Sequence, residues 1–191
     1  MRDLHSNADN GFRPLALAGI ALTGVLASGA LGGLTNAING QVSPQYFVAI
    51  LHWEDVQNVW RACVAQGILE GLVFGVFFSL LFTAGTGLIT RASCSYRFGI
   101  AHLAGVISAA FGCWLIGGLL GMGLAALSPE FFRRSFRGVP AEFGPMLAYA
   151  WVGGSIWGVQ IGGLLSTILG LIILRARWLR PREQDPTFSP G

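Results

Sequence analysis

GGLTNAINGQVSPQYF (residues 32–47) and GGLLGMGLAALSPEFF (residues 117–132) are two versions of one phrase. Each opens on a glycine pair, Gly32-Gly33 and Gly117-Gly118. Each closes on Ser-Pro ahead of two aromatic residues, Ser43-Pro44 before Tyr46-Phe47 and Ser128-Pro129 before Phe131-Phe132. The offset between them is 85 residues. Downstream, Gly67, Gly71 and Gly75 recur as Gly154, Gly158 and Gly162 at an offset of 87. The chain therefore reads as two copies of one unit, with two residues added to the second copy's loop. A repeat of this kind decides the architecture before any single element does.

Composition supplies the solvent. Of 191 residues, 53% are hydrophobic and 11% charged, with a mean hydropathy of +0.60. A soluble domain carries about 25% charged residues, so a water-soluble globule is excluded. Apolar stretches at about 15–37, 62–89, 99–127 and 146–174 each exceed the roughly 20 residues that a helix needs to cross a bilayer core, and only Glu70 interrupts them with a formal charge. Strands of a membrane barrel would be shorter and alternating. Helices satisfy their own backbone in lipid, so the fold class expected is all-α, a polytopic integral membrane protein with four transmembrane helices.

The repeat orders these spans. Residues 1–13 read as a disordered cytoplasmic N-terminus. Residues 14–97 form the first unit, with spans at 15–37 and 62–89 and an outer interfacial segment at 43–53. Residues 98–178 form the second, with spans at 99–127 and 146–174 and an interfacial segment at 128–137. Residues 179–191 form a disordered basic tail. Two spans per unit give both copies the same orientation, related by an axis along the membrane normal. The eight-residue turn 90–97 makes the second and third spans expected neighbours. Ser28-Gly29-Ala30 resembles a signal-peptidase site, but the matching third span is internal, so the first span is read as retained.

Charge sets the orientation. All twelve basic residues are Arg. Arg2, Arg13, Arg91, Arg97, Arg175, Arg177, Arg180 and Arg182 fall on one side; Arg61, Arg133, Arg134 and Arg137 fall on the other. The positive-inside rule then places both termini in the cytoplasm, as in a bacterial inner or cell membrane. A net charge of +3 is too small to argue for nucleic acid. Arg175, Arg177, Arg180 and Arg182 suit anionic lipid headgroups and read first as a topological anchor.

The Ser-Pro motifs read as helix starts, with Ser43 and Ser128 as side-chain caps and Pro44 and Pro129 at the first helical position. The aromatic residues that follow suit a bilayer interface. Gly67, Gly71, Gly75 and Gly154, Gly158, Gly162 are GxxxG ladders, which let helices associate at close range. They serve packing within the chain or assembly with other copies. Glu70 is the residue singled out for function, because an ionisable group inside a membrane is costly and commonly functional. Gln66 lies one turn away, and Asn36 and Asn39 end the first span at comparable depth. The set belongs to one copy only: Glu70 aligns with Trp157, Gln66 with Gly153 and Asn36 with Gly121. A polar clamp between helices is the alternative role for these residues and for Gln160. His52-Trp53-Glu54-Asp55 reads as an interfacial tryptophan with a solvated acidic turn.

No catalytic or metal-binding motif is present, and Cys63, Cys94 and Cys113 share neither depth nor spacing. The expectation is a non-enzymatic protein without cofactor or metal. It reads first as a membrane scaffold or subunit that assembles through glycine-rich faces with its own copies or a membrane partner. A small ion- or proton-coupled transport element using Glu70 is the alternative. The counting of spans puts both Ser-Pro corners on one side of the bilayer: single cysteines replacing Gln45 and Glu130 should react equally with an impermeant thiol reagent added to intact cells, and opposite accessibility would refute the arrangement.

Overall fold

A computed structural model of the protein describes residues 13–179. The terminal segments, with Arg2, Arg180 and Arg182, lie outside the described residues. The described residues form six helices: α1 (Pro14–Val42), α2 (Pro44–Leu51), α3 (Val59–Thr90), α4 (Tyr96–Leu127), α5 (Pro129–Ser135) and α6 (Phe143–Leu179). Among the described residues there is no strand.

Helices α1, α3, α4 and α6 have 29, 32, 32 and 37 residues and are long and apolar enough to cross a membrane. At 1.5 Å per residue they run roughly 44–56 Å, beyond the hydrocarbon core of about 30 Å. Their outward faces carry Leu22, Leu26, Leu80, Leu119, Leu124 and Leu165, each more than half exposed, as sides against lipid tails. The protein is a four-span helical membrane protein, with α2 and α5 as short corner helices at one end and the 91–95 turn at the other.

Glycine determines how the spans pair. A Cβ on Gly32 would collide with the Gly67 carbonyl and stand 3.0 Å from Gly71 Cα. A Cβ on Gly117 would collide with the Gly154 carbonyl and stand 2.7 Å from Gly158 Cα. Gly75 faces Val25 and Ser28, and Gly162 faces Cys113. All six ladder glycines thus lie against the partner helix of their own hairpin, α1 against α3 and α4 against α6, both antiparallel. Backbone contact of this closeness replaces the hydrophobic drive that lipid cannot supply.

The two hairpins then stand side by side in the same orientation. Toward the turn end, Gly19 and Ile20 of α1 meet Tyr96 and Gly99 of α4, and Thr23 Oγ1 lies 3.0 Å from the Tyr96 hydroxyl. Phe78 and Phe82 of α3 cover Gly163 and Gly170 of α6. Ile20, Phe82, Leu103, Val106 and Leu174 form a buried cluster to which every spanning helix contributes.

Two expectations need correction. Spans α3 and α4 are not packing neighbours: α3 packs along α1 and α6, and α4 along α6 and α1. The glycine seams claim the flat faces of both helices. The turn between them, with Arg91 and Ala92 left-handed at φ 52° and 56° and Ser95 extended, leaves α4 free to step aside. The second correction concerns the corners. Ser43 and Ser128 stand at the helix starts, before Pro44 and Pro129, but neither side chain caps. At ψ near 80° each serine still closes the preceding helix, its N–H bonded to Asn39 O or Leu124 O. Ser95, at ψ 148°, does accept from Phe98 N–H at 3.3 Å.

Replacing Gly32 or Gly117 with Val should lower stability by about 1–3 kcal/mol, the cost typical of overpacking, read as a lower unfolding midpoint in mild detergent. Gly105→Ala, where no atom lies within 4 Å, should leave the midpoint unchanged or raise it.

Candidate functional site

Close pairing within hairpins leaves a gap between them. At mid-height it opens into a cavity of about 100 Å³ lined by all four spanning helices. One water needs roughly 10–15 Å³ by this measure, so several fit. Glu70 lines the cavity and, among the described residues, is the only ionisable side chain that does so. It is half-buried, and Gln66 Nε2 donates to its Oε1 at 2.8 Å, one turn along α3.

Every spanning helix supplies further polar groups. Ser28, Thr35, Asn36 and Asn39 enter from α1, Ser79 from α3, Trp114 from α4, and Gln160 and Thr167 from α6. Gln66 supports Glu70 from outside the lining. Asn39 is fully buried; its Oδ1 accepts from Ser155 Oγ at 3.2 Å, while its Nδ2 has no partner. That bond ties α1 to α6, so Asn39 is also a clamp between hairpins. Buried Trp114 lines the cavity from α4, and its Nε1 is likewise unpartnered. An unpaired donor in an apolar interior costs about 1–3 kcal/mol.

Packed side chains lie toward both ends of the gap between the hairpins. Toward the turn, the cluster of Ile20, Phe82, Leu103, Val106 and Leu174 fills the space. At the corner end, α2 leans across to α6: the Tyr46 ring lies against Gly153 and 5.0 Å from Tyr149, and Phe47 packs with Cys63 and Val152. Burial, and secondarily the negative charge of Glu70, raise the Tyr46 phenol above its usual range. The matching helix α5 behaves differently. Phe132 is buried with Ala125 and Met146, but Phe131 is exposed. Trp157, which aligns with Glu70, is also exposed.

The remaining residues lie elsewhere. Gly154, Gly158 and Gly162 belong to the α4–α6 seam. Arg175 and Arg177 are exposed near the end of α6. Trp53 stacks on Phe47 with centroids 6.2 Å apart, beside exposed Glu54 and Asp55. His102 is buried, its Nδ1 2.9 Å from Phe98 O, and it does not line the cavity. The three cysteines are free, and burial pushes the Cys94 thiol above its ordinary value, away from reactivity. Among the described residues no group of three or more His, Cys, Asp or Glu comes together in a way that would hold a metal.

Sequence reading passed over the aromatic wall and the Ser155–Asn39 bond. The wall had a signal: Glu70, Phe74, Phe78 and Phe82 recur every fourth residue, one stripe of a helix, and all four line the cavity. The bond had none, because nothing in the chain announces that residues 116 apart will meet. Comparison with known protein families, with curated proteins and with solved structures finds no match.

Proposed function

We propose that this protein is a non-enzymatic transport or permeation element that admits a small cation or a proton to its central cavity, with Glu70 as the exchanging group. The observation that carries this reading is the single carboxylate lining a cavity shared by all four spans. A carboxylate in that setting is expensive, and the helix repeat could have been packed without it, as the Trp157 position illustrates. The coverings at the two ends supply what alternating access requires: Tyr46 and Phe47 at the corner end, and the Ile20–Leu174 cluster toward the turn. The distribution of Arg supports a cytoplasmic turn end, with Arg175 and Arg177 at the headgroups.

A specific observation favours a second reading, assembly with further copies of the chain. The glycine ladders are spent inside the hairpins, but α4 keeps another strip of small residues. Ala101, Ala104, Gly105, Ser108 and Ala109 are exposed, and nothing lies within 4 Å of a Cβ placed on Gly105 or Gly112. Small residues four apart allow close helix approach in lipid.

In proteoliposomes carrying an internal pH dye under an imposed potential, the wild type should acidify or alkalinise the lumen with the field, and Glu70→Gln should fall to the level of empty liposomes. No proton flux in the wild type, or equal flux in both, refutes Glu70 as a proton-exchanging group. Native mass spectrometry in mild detergent should show an oligomer that Gly105→Leu dissociates; a strictly monomeric wild type refutes assembly.

A further inference from the structure

We infer that the cavity is a binding site for a compact organic ammonium ion bearing an oxygen substituent, rather than for a metal cation. The inference rests on the transport reading of Glu70 and specifies what that site takes.

The stripe of α3 facing the cavity is one carboxylate followed by three rings. Phe74 and Phe78 lie stacked, centroids 6.1 Å apart and planes 20° from parallel, and Phe82 continues the row toward the turn. Trp114 lines the cavity from α4, with Phe111 and Trp151 as its ring neighbours. Its level follows from the seams: Trp114 precedes Gly117 by three residues, as Gly29 precedes Gly32, and Gly29 lies against Gly71 and Leu72. Trp114 therefore stands at the height of Glu70. Gln160 stands near that height too, one turn from Gly163, which Phe78 covers.

This chemistry discriminates between cations. A calcium ion takes six to eight oxygen ligands, and magnesium demands a near-ideal octahedron. Here a single carboxylate stands among neutral amide oxygens and the Ser28, Thr35, Ser79 and Thr167 hydroxyls, too little negative charge for a divalent ion, and Asn39 Oδ1 is already engaged with Ser155. A small inorganic ion would give up its hydration against an apolar wall for little return. A substituted ammonium has less hydration to lose. Its alkyl groups gain by burial, its charge is met by Glu70, and aromatic faces attract it further.

The unpartnered donors add the second half of the ligand. Trp114 Nε1 and Asn39 Nδ2 are buried N–H groups without acceptors. An ammonium placed at Glu70 presents an attached hydroxyl or carboxylate oxygen to Trp114 at the same level. A cavity of about 100 Å³ restricts the ligand to a compact one.

The test uses the full chain in mild detergent with choline, tetramethylammonium and sodium as probes at equal ionic strength. Tryptophan fluorescence titration should show choline binding and no response to sodium. Glu70→Gln should abolish the response. Phe78→Leu, which keeps apolar volume but removes the ring, should weaken choline about tenfold. Trp114→Phe, read by thermal shift, should erase the preference for choline over tetramethylammonium. Phe131→Leu, on an exposed face away from the cavity, serves as the unaltered control. If the variants do not fold, the wild type decides alone: choline should raise its melting temperature and sodium should not. Sodium acting as well as choline, or choline binding unaffected by Phe78→Leu in a folded variant, overturns the assignment. Glu70-dependent flux that choline neither joins nor inhibits removes the ammonium ligand and leaves the transport reading standing; choline binding without any flux retains the site and removes transport.

Discussion

Backbone pressed directly on backbone, at Gly32 with Gly67 and Gly71 and at Gly117 with Gly154 and Gly158, is the contact on which the molecule depends. Lipid tails are as apolar as leucine, so nothing expels these helices from their solvent toward each other. Dispersion between closely fitted surfaces must do it, and only glycine allows carbonyls and α-carbons of two helices to approach so near. Once the small residues are committed to these seams, larger ones are left to face the second hairpin. Phe74, Phe78, Phe82 and Trp114 meet there with imperfect fit, and the space they leave is the cavity. The site is thus a by-product of where the glycines went.

The two halves differ at the corner end. Helix α2 leans over the gap and reaches α6, with Tyr46 on Gly153 and Tyr149; α5 stays with its own hairpin and leaves Phe131 outside. The polar residues follow the same bias. Asn36, Asn39 and Glu70 face the covered gap, whereas Gly121 and Trp157, at the aligned positions, face a seam and the exterior. Covering and polarity therefore occur together, as a protected site requires. Neither would do much alone: an uncovered carboxylate is simply hydrated or lipid-facing, and a cover over an apolar gap encloses nothing to recognise.

The fold was legible because it rests on long-range regularities. Four apolar stretches, a repeated Ser-Pro corner and recurring glycines each specify geometry without reference to a partner, and the helices extend a few residues beyond the apolar cores only because their polar flanks remain helical. The arrangement of hairpins was less legible. Short connections ordinarily join neighbours, but the left-handed Arg91 and Ala92 give this one a different exit, and backbone conformation at such a turn is not written in residue type. The corners misled in a similar way: serine before proline is a good cap only when its ψ is extended, and here the preceding helix holds it back. Within the site, Glu70 stands out by its cost alone. Its aromatic companions were hidden among thirteen phenylalanines, and the Tyr46 and Ser155 contacts depend on how two hairpins dock.

The seams inside each hairpin and the contact between hairpins are different kinds of joint. The first runs nearly the whole length of the helices, from Leu17 beside Gly87 to Gly40 beside Cys63 in one pair, and at its centre is backbone on backbone, with no rotamers to change. The second is made of side-chain tips, ring edges, the Ser155–Asn39 bond and the Thr23–Tyr96 hydroxyl contact. Mechanical load across this molecule will find the second joint first. Each hairpin is a stiff plank, and the plane of easy slip lies between the planks, through the chamber that holds the carboxylate.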